Sequence, residues 1–282
     1  MKLETAINNA YLNLKNNNIK SALLDSELLM SSVINKKREF IILNLNEEIS
    51  KKDFDNFQNK VTQRLKGKPI AYLTNKKVFW KYEFFVNENV LIPRPDTEII
   101  VEHVLKIYKN KNKISFLDIG FGSGCIMLSI IKERKDFRAT GVDISNHALK
   151  VCKINAFKLG VKNRVKLFNS DIDKFSLGKY DLIISNPPYI KNLDLKYLEK
   201  DVIKFEPKLA LDGGLDGISE IRKVIKKSSE LIKNSGKLIL EIAYNQKKEV
   251  KRLLKRNGFY INSVVKDLAN NDRCIISTKI EE

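Results

Sequence analysis

Four consecutive residues, Asn186, Pro187, Pro188 and Tyr189, carry the most pointed chemistry in this chain. They follow an apolar run, Tyr180 to Ser185, that reads as a buried strand ending in a turn. Each proline fixes its own backbone, lacks an N–H donor and pushes the residue before it out of helical geometry. Such a corner offers acceptors: the Asn186 side-chain oxygen and the neighbouring main-chain carbonyls, beside an aromatic face. That set suits a planar NH2 group. A turn that merely caps a strand accounts for one proline, not for the whole set.

A second constellation lies upstream. Phe116 to Ile119 reads as a strand that runs into Gly120, Phe121, Gly122, Ser123 and Gly124, with a helix opening at Cys125. Glycine at alternate positions permits positive φ and lets a ligand approach bare backbone. The helix start adds unpaired N–H groups and partial positive charge. The spacing is neither the dinucleotide fingerprint nor a P-loop, since Cys125 interrupts the first and no Lys-Ser/Thr completes the second. Asp143 ends the next strand, where an acid reaches ribose hydroxyls in nucleoside-binding α/β folds, and Asp171 with Ile172 ends the third. Asp118, inside the first strand, faces either the glycine-turn backbone or a ligand ammonium group. Together these positions outline a crevice suited to a nucleoside carrying an amino-acid tail, which is S-adenosyl-L-methionine.

The elements that must hold these residues follow from periodicity. Residues 96–282 read as alternating helices and strands: strands at 114–119, 138–143, 164–170, 180–185, 236–243, 259–266 and 273–280, and helices at 97–109, 124–134, 146–159, 218–233 and 246–257. Alternation of this kind specifies an α/β, doubly wound, mostly parallel seven-stranded sheet with helices on both faces. The last two strands follow one another without a helix and are expected to pair antiparallel at one edge. Residues 1–68 read as a small N-terminal helical domain, with apolar stripes such as Phe54, Phe57, Val61 and Leu65. Residues 69–95 read as a hairpin linker, with strands over 78–86 and 90–92 and a turn at Asn87 to Asn89. Trp80, the single tryptophan, is expected to be a packed anchor.

Composition excludes several classes. At 282 residues, 43% hydrophobic and 30% charged, the chain is an ordinary globular protein, and no stretch reaches the ~20 apolar residues of a membrane span. The first ten residues lack the apolar core of a signal peptide. Cys125, Cys152 and Cys274 are unpaired in spacing, which points to a cytoplasmic location, and with only His103 and His147 no metal site is expected. The net charge of +18 fits either attraction to nucleic acid or compositional drift. The lysines spread evenly instead of clustering, which favours drift.

At this point the chain resembles the class I methyltransferases and, more narrowly, the peptide-chain release factor glutamine methyltransferases. Four blocks carry the resemblance: Gly67 to Thr74 with Phe79 and Trp80; Leu91 to Glu98, reading Leu-Ile-Pro-Arg-Pro-Asp-Thr-Glu; the glycine turn with Asp143; and Asn186 to Ile190 followed by Phe205 to Gly217. The resemblance implies a Rossmann-like methyltransferase sheet and methyl transfer to the glutamine side-chain nitrogen of the Gly-Gly-Gln motif in class 1 release factors. It implies that Gly120 to Gly124, Asp143, Asp171, Ile172 and Asn186 bind S-adenosyl-L-methionine. Asn186, Pro187, Pro188 and Tyr189 would hold the glutamine, with Asn186, Pro187 and Tyr189 acting in catalysis and Arg94 at the rim. A monomer that needs neither nucleic acid nor membrane is expected. Phe121 and Ile172 depart from the family pattern: a bulky ring at 121 must point away from the cofactor, and Ile172 gives poorer stacking than an aromatic residue. Two other enzymes share the acceptor motif, a nucleic-acid exocyclic-amino methyltransferase and a ribosomal-protein glutamine methyltransferase. A catalytically silent RNA- or ribosome-binding protein is the reading from outside enzymology.

Overall fold

The computed structural model describes residues 1–280. The chain forms two compact units: Met1–Lys76 together with Glu199–Phe205, and Lys77–Leu198 together with the chain from Glu206 onward. In the first unit α1 (Leu3–Asn16), α2 (Ala22–Ile34), α3 (Arg38–Leu43), α4 (Lys51–Leu65) and α5 (Ile70–Thr74) follow one another. On α1 the buried residues Leu3, Ile7, Ala10 and Leu14 recur at spacings of four, three and four, the apolar stripe of a helix with one face inward. They meet Leu29 and Met30 of α2 and Phe57 and Val61 of α4 in one core. A buried carboxylate inside this core is matched: Arg64 Nε donates to Asp25 Oδ2 at 2.7 Å.

The second unit begins with a two-stranded hairpin, β1 (Lys76–Phe79) and β2 (Tyr82–Phe85). It continues through α6 (Glu98–Ile107), β3 (Ser115–Ile119), α7 (Cys125–Glu133), β4 (Arg138–Asp143), α8 (Asn146–Lys158), β5 (Val165–Asn169) and β6 (Tyr180–Ser185). A short helix of the first unit, α9 (Lys200–Phe205), comes next in the chain. It is followed by α10 (Ser219–Leu231), β7 (Ile232–Glu241), α11 (Lys247–Arg256), β8 (Phe259–Lys266) and β9 (Asp272–Lys279). The seven-stranded sheet has the order β5-β4-β3-β6-β7-β9-β8. Its first five strands are parallel, and β9 runs antiparallel to both β7 and β8. This is the doubly wound, mostly parallel sheet expected from the alternation of elements.

The central strands are nearly continuous apolar runs because both of their faces are covered. Phe116, Leu117 and Ile119 of β3 and Leu182, Ile183 and Ile184 of β6 are all buried. Helix α10 buries Ile221, Val224, Ile225 and Leu231 against this sheet. The chain winds from β3 outward to β4 and β5, then crosses back to β6 on the other side of β3. Strand order therefore reverses between β3 and β6, and the loops there diverge to leave a crevice at the carboxyl ends.

The linker differs from its expected form. The hairpin turns at Trp80 and Lys81 instead of at Asn87 to Asn89, and Val90 to Ile92 is not a strand. Trp80 has φ +58°, a strained conformation for a bulky residue. Tertiary contacts impose it: the Trp80 N–H donates to Glu98 Oε1 at 2.7 Å, and the indole donates to Glu133 Oε1 at 2.9 Å. Nothing local in the sequence announces a turn at such a residue. Asn87 to Val90 still turns, closed by Val90 N–H to the Asn87 carbonyl at 3.1 Å, but it buries Val90 and Ile92 as irregular chain. The short helix α5 occupies another part of the expected linker.

One buried acid stands out in the sheet. Asp118 of β3 is 1% exposed, and neither carboxyl oxygen has a hydrogen-bond partner among the described residues. Burial raises its pKa to about 8, with nearby Asp143 adding to the rise. The folded state therefore holds this proton far more tightly than the unfolded chain. Its stabilising effect is full below the ordinary carboxylate range and is lost as pH climbs toward 8. In Asp118→Asn, melting temperature should fall less steeply between about pH 5 and pH 9 than in the wild type. Parallel slopes in scanning calorimetry would show Asp118 to be ionised in the fold.

Candidate functional site

The crevice at the strand-order reversal is a cavity of about 670 Å³. Its walls come from the carboxyl ends of four neighbouring strands: Gly120 and Gly122 after β3, Asp143 at the end of β4, Asp171 and Ile172 after β5, and Asn186, Pro187 and Pro188 after β6. These expected site residues are thus brought together from positions scattered along the chain.

The glycine turn is built for close approach. Gly120 has φ +74° and Gly122 φ +53°, and a Cβ on either would meet nothing within 4 Å. The wall there is bare backbone with open space in front of it. Gly124, at φ +81°, is different: its missing side chain makes room for the interior, since a Cβ would lie 2.5 Å from Cys152 Sγ. Phe121 is buried, and its ring packs beneath the turn beside Gly141. It does point away from the cavity. Ser123 is also buried, with its carbonyl accepting from Asn155 Nδ2 at 2.9 Å. Phe121, Ser123 and Gly124 therefore shape the turn from behind.

Asp143 fixes that turn from the side. Its Oδ2 accepts from the Gly122 N–H at 2.9 Å and its Oδ1 from the Ser145 N–H at 2.9 Å. Burial lifts its pKa, and the two N–H donors pull against that rise. Each oxygen keeps lone-pair capacity toward the cavity. Asp171 caps the turn beyond it, its Oδ1 accepting from the Asp173 N–H at 3.0 Å, with Ile172 next to it as apolar lining.

The corner after β6 has one decisive contact. Asn186 Nδ2 donates to Thr97 Oγ1 at 3.2 Å. With its amide nitrogen tied to the scaffold, the Asn186 side chain has Thr97 as its hydrogen-bond partner among the described residues. The peptide bonds at Pro187 and Pro188 are trans. Tyr189 is not among the cavity walls: its ring packs against the sheet core, and its hydroxyl donates to Glu241 Oε1 at 3.3 Å. Arg94 is likewise away from the walls. Its Nη2 donates to Glu206 Oε1 at 2.5 Å, and the other oxygen of Glu206 accepts from the Ile92 N–H at 3.2 Å.

Several residues around the site escaped the sequence reading. Thr97 was visible only as a member of the Leu91 to Glu98 block. Glu206 was visible only as part of the Phe205 to Gly217 block, and Glu241 and Gln246 carried no local signal, because each acts on chain that is remote in sequence. Gln246 Nε2 donates to the carbonyls of Tyr189 and Gly217, both at 2.9 Å, and so clamps the segment that leaves the proline corner. Asn155 of α8 bridges the Ser123 and Phe85 main chain and ties the glycine turn to β2.

Comparison with known proteins agrees with this architecture. Residues 5–74 match the model of the PrmC N-terminal domain, and residues 95–216 match that of the methyltransferase small domain. A release factor glutamine methyltransferase of Clostridium acetobutylicum is 37% identical over 99% of this chain and 99% of that one. Another, from Buchnera aphidicola, is 38% identical over 90% of this chain and 92% of its own length. Among solved structures, a methyltransferase from Pyrococcus furiosus shares the fold, with a TM-score of 0.55 and 18% identity, covering 79% of this chain and 100% of that one. With relatives this similar along almost the entire length, the chain belongs to the release factor glutamine methyltransferase family.

Proposed function

We propose that this chain methylates the side-chain nitrogen of the glutamine in the Gly-Gly-Gln motif of class 1 peptide-chain release factors, with S-adenosyl-L-methionine as the methyl donor. The observation that carries the reading is the Asn186 carboxamide. Its nitrogen is anchored on Thr97, and its oxygen remains for a guest NH2 at the wall of the cavity. The walls also suit the donor. Open backbone at Gly120 and Gly122 leaves room for a ligand that a side chain would fill, and the Asp143 carboxylate keeps acceptor capacity for ribose hydroxyls. Ile172 and Val142 supply apolar lining for an adenine ring.

An amide nitrogen is a poor nucleophile, because its lone pair is delocalised into the carbonyl. When bound, S-adenosyl-L-methionine supplies a methyl group activated by a sulfonium centre. The chain's own residues then have to position and polarise the target. Asn186 Oδ1 and the Pro187 carbonyl accept the two N–H hydrogens of the glutamine, which aims the nitrogen and increases its electron density. As positive charge grows on that nitrogen, both acceptors bind it more strongly, so they favour the transition state over the ground state. The methylated nitrogen is strongly acidic, and its proton passes to water without a dedicated base. Tyr189 braces this corner from inside. The Arg94–Glu206 pair fixes the main chain at Ile92, next to cavity-lining Val90 and Leu91. Residues 1–68 give the protein substrate a surface beyond its glutamine loop.

Incubation of release factor with enzyme and donor should add one methyl to that glutamine, read by mass spectrometry. Labelling of total RNA with none on the release factor would refute the assignment. Asn186→Ala should lower kcat by about a hundredfold or more, the scale seen when one preorganised polar group is removed. Its effect on donor affinity by calorimetry should be small. Asp143→Ala should act the other way and weaken donor binding by roughly ten- to a hundredfold, as expected for losing charge-assisted hydrogen bonds. If both variants lose only donor affinity, the division of roles fails.

A further inference from the structure

The glycine turn has little conformational preference of its own. Gly120, Gly122 and Gly124 sit at φ +74°, +53° and +81°, and glycine takes either sign of φ with similar ease. A chain this permissive keeps one shape only if groups outside it hold it there. Asp143 is one such group, through the Gly122 N–H. The other lies behind the turn. Asn155 of α8 is 1% exposed, and its Nδ2 donates to the Ser123 carbonyl at 2.9 Å.

The rest of the Asn155 carboxamide is used on one residue of the hairpin. Nδ2 also donates to the Phe85 carbonyl at 3.0 Å, and Oδ1 accepts from the Phe85 N–H at 2.7 Å. Both amide hydrogens therefore meet carbonyls, and the amide oxygen meets a donor. Only one orientation of the side chain satisfies this pattern, since the reverse would set its oxygen against two carbonyls. The hairpin that presents Phe85 is itself fastened near its tip. The Trp80 N–H donates to Glu98 Oε1 at 2.7 Å, and the Trp80 indole and Tyr82 hydroxyl donate to Glu133 Oε1 at 2.9 and 3.0 Å. Glu133 is the last residue of α7, the helix that leaves the glycine turn. Helix α8 also crowds the turn on the face that carries Asn155. Cys152, three residues earlier, is the side chain that a Cβ at Gly124 would strike.

We infer that Asn155 is a positioning residue for donor binding: by holding the Ser123 carbonyl inward it fixes the peptide that joins Ser123 to Gly124, and keeps the backbone at Gly120 and Gly122 open before the donor arrives. The inference rests on the reading of that wall as the site of S-adenosyl-L-methionine. Ser123 is 3% exposed, so without Asn155 its carbonyl loses a partner where water does not readily replace it. The strain is relieved by turning the peptide about Gly124, whose φ changes sign at little cost. The turn then populates several shapes, and the donor binds only the fraction with the open one. Once bound, the donor restores that shape. The acceptor corner at Asn186 and Pro187 is untouched, so the methyl transfer itself is preserved at saturation.

The test is calorimetry of the full chain with S-adenosyl-L-methionine, and kcat on release factor at saturating donor. Asn155→Ala should weaken donor binding about tenfold, the scale of one lost buried hydrogen bond, and keep kcat within about threefold. Asn155→Asp separates the two ends of the clamp. Its carboxylate still accepts from the Phe85 N–H but has no proton for the Ser123 carbonyl, so donor affinity should fall at least as far. A lowered melting temperature with wild-type donor affinity, in either variant, overturns the inference, because a residue that only stabilises the fold behaves that way. A large loss of kcat with donor affinity intact overturns it too. If neither variant folds, hydrogen exchange on the wild type decides. The Gly124 N–H, which donates to the Phe121 carbonyl at 2.7 Å, should be protected before donor is added and change little afterwards. Fast exchange that slows only with donor would mean that the ligand, and not Asn155, orders the turn. Wild-type protein that takes up no S-adenosyl-L-methionine defeats the reading of the wall itself. Tight binding by the wild type and equally tight binding by both variants defeats only the clamp.

Discussion

The hydrogen bond from Asn186 Nδ2 to Thr97 Oγ1 decides which end of a carboxamide meets the cavity, and the site depends on that choice. A carboxamide is nearly symmetric in shape but opposite in hydrogen-bonding character at its two ends. Left unconstrained it would sample both orientations, and under the proposed function half of them would repel an incoming NH2. The two prolines after it restrict the main chain but do nothing for the side chain's final torsion. Only a partner on the nitrogen can set that, and the partner comes from the turn that opens α6. The Leu91 to Glu98 block and the Asn186 to Tyr189 corner are therefore two halves of one device, although 89 residues separate Thr97 from Asn186.

The parallel sheet is what brings such distant segments together. Parallel strands put all their carboxyl ends on one edge, so the loops after β3, β4, β5 and β6 converge, and the reversal between β3 and β6 opens the space between them. Each loop contributes a different kind of wall. The first gives bare backbone, the second a carboxylate held by two main-chain donors, the third apolar cover, and the fourth neutral acceptors. Chemistry that needs aim more than proton transfer is well served by such fixed main-chain and amide groups, which lose little freedom when the ligand arrives.

How much of this was readable in the sequence depends on how local each signal is. The sheet, its antiparallel edge and the helix positions came through because periodicity and strand spacing are short-range properties. Gly120, Gly122, Asp143, Asp171, Ile172 and Asn186 to Pro188 were found as motifs at strand ends, and they do line the cavity. Tyr189 and Arg94 belong to the same motifs but point elsewhere, because motif membership does not reveal where a side chain turns. Glu241 and Gln246 were invisible: their partners lie 52 and 57 residues away, in segments with no mutual pattern. The hairpin turn was misplaced for the same reason. Trp80 adopts its positive φ only because Glu98 and Glu133, both remote in sequence, capture its two N–H groups.

The segment beyond the corner completes the constraint, and it gives a reason for the glycine at position 213. Ile190 donates to the Leu211 carbonyl at 3.2 Å and accepts from the Gly213 N–H at 2.8 Å, so the exit from Tyr189 is paired to returning chain. At Gly213 a Cβ would sit 2.9 Å from Tyr189 Cα and 2.7 Å from the Gly217 carbonyl oxygen, a crowding that neighbouring main chain cannot relieve. Gln246 then clamps Tyr189 and Gly217 together through their carbonyls. Two prolines stiffen the corner itself, and close-packed backbone with a buried amide stiffens the chain downstream of Tyr189. The acceptor pair proposed above needs both, because a corner held only from the strand side would swing with its downstream loop and carry the Pro187 carbonyl away from the Asn186 oxygen.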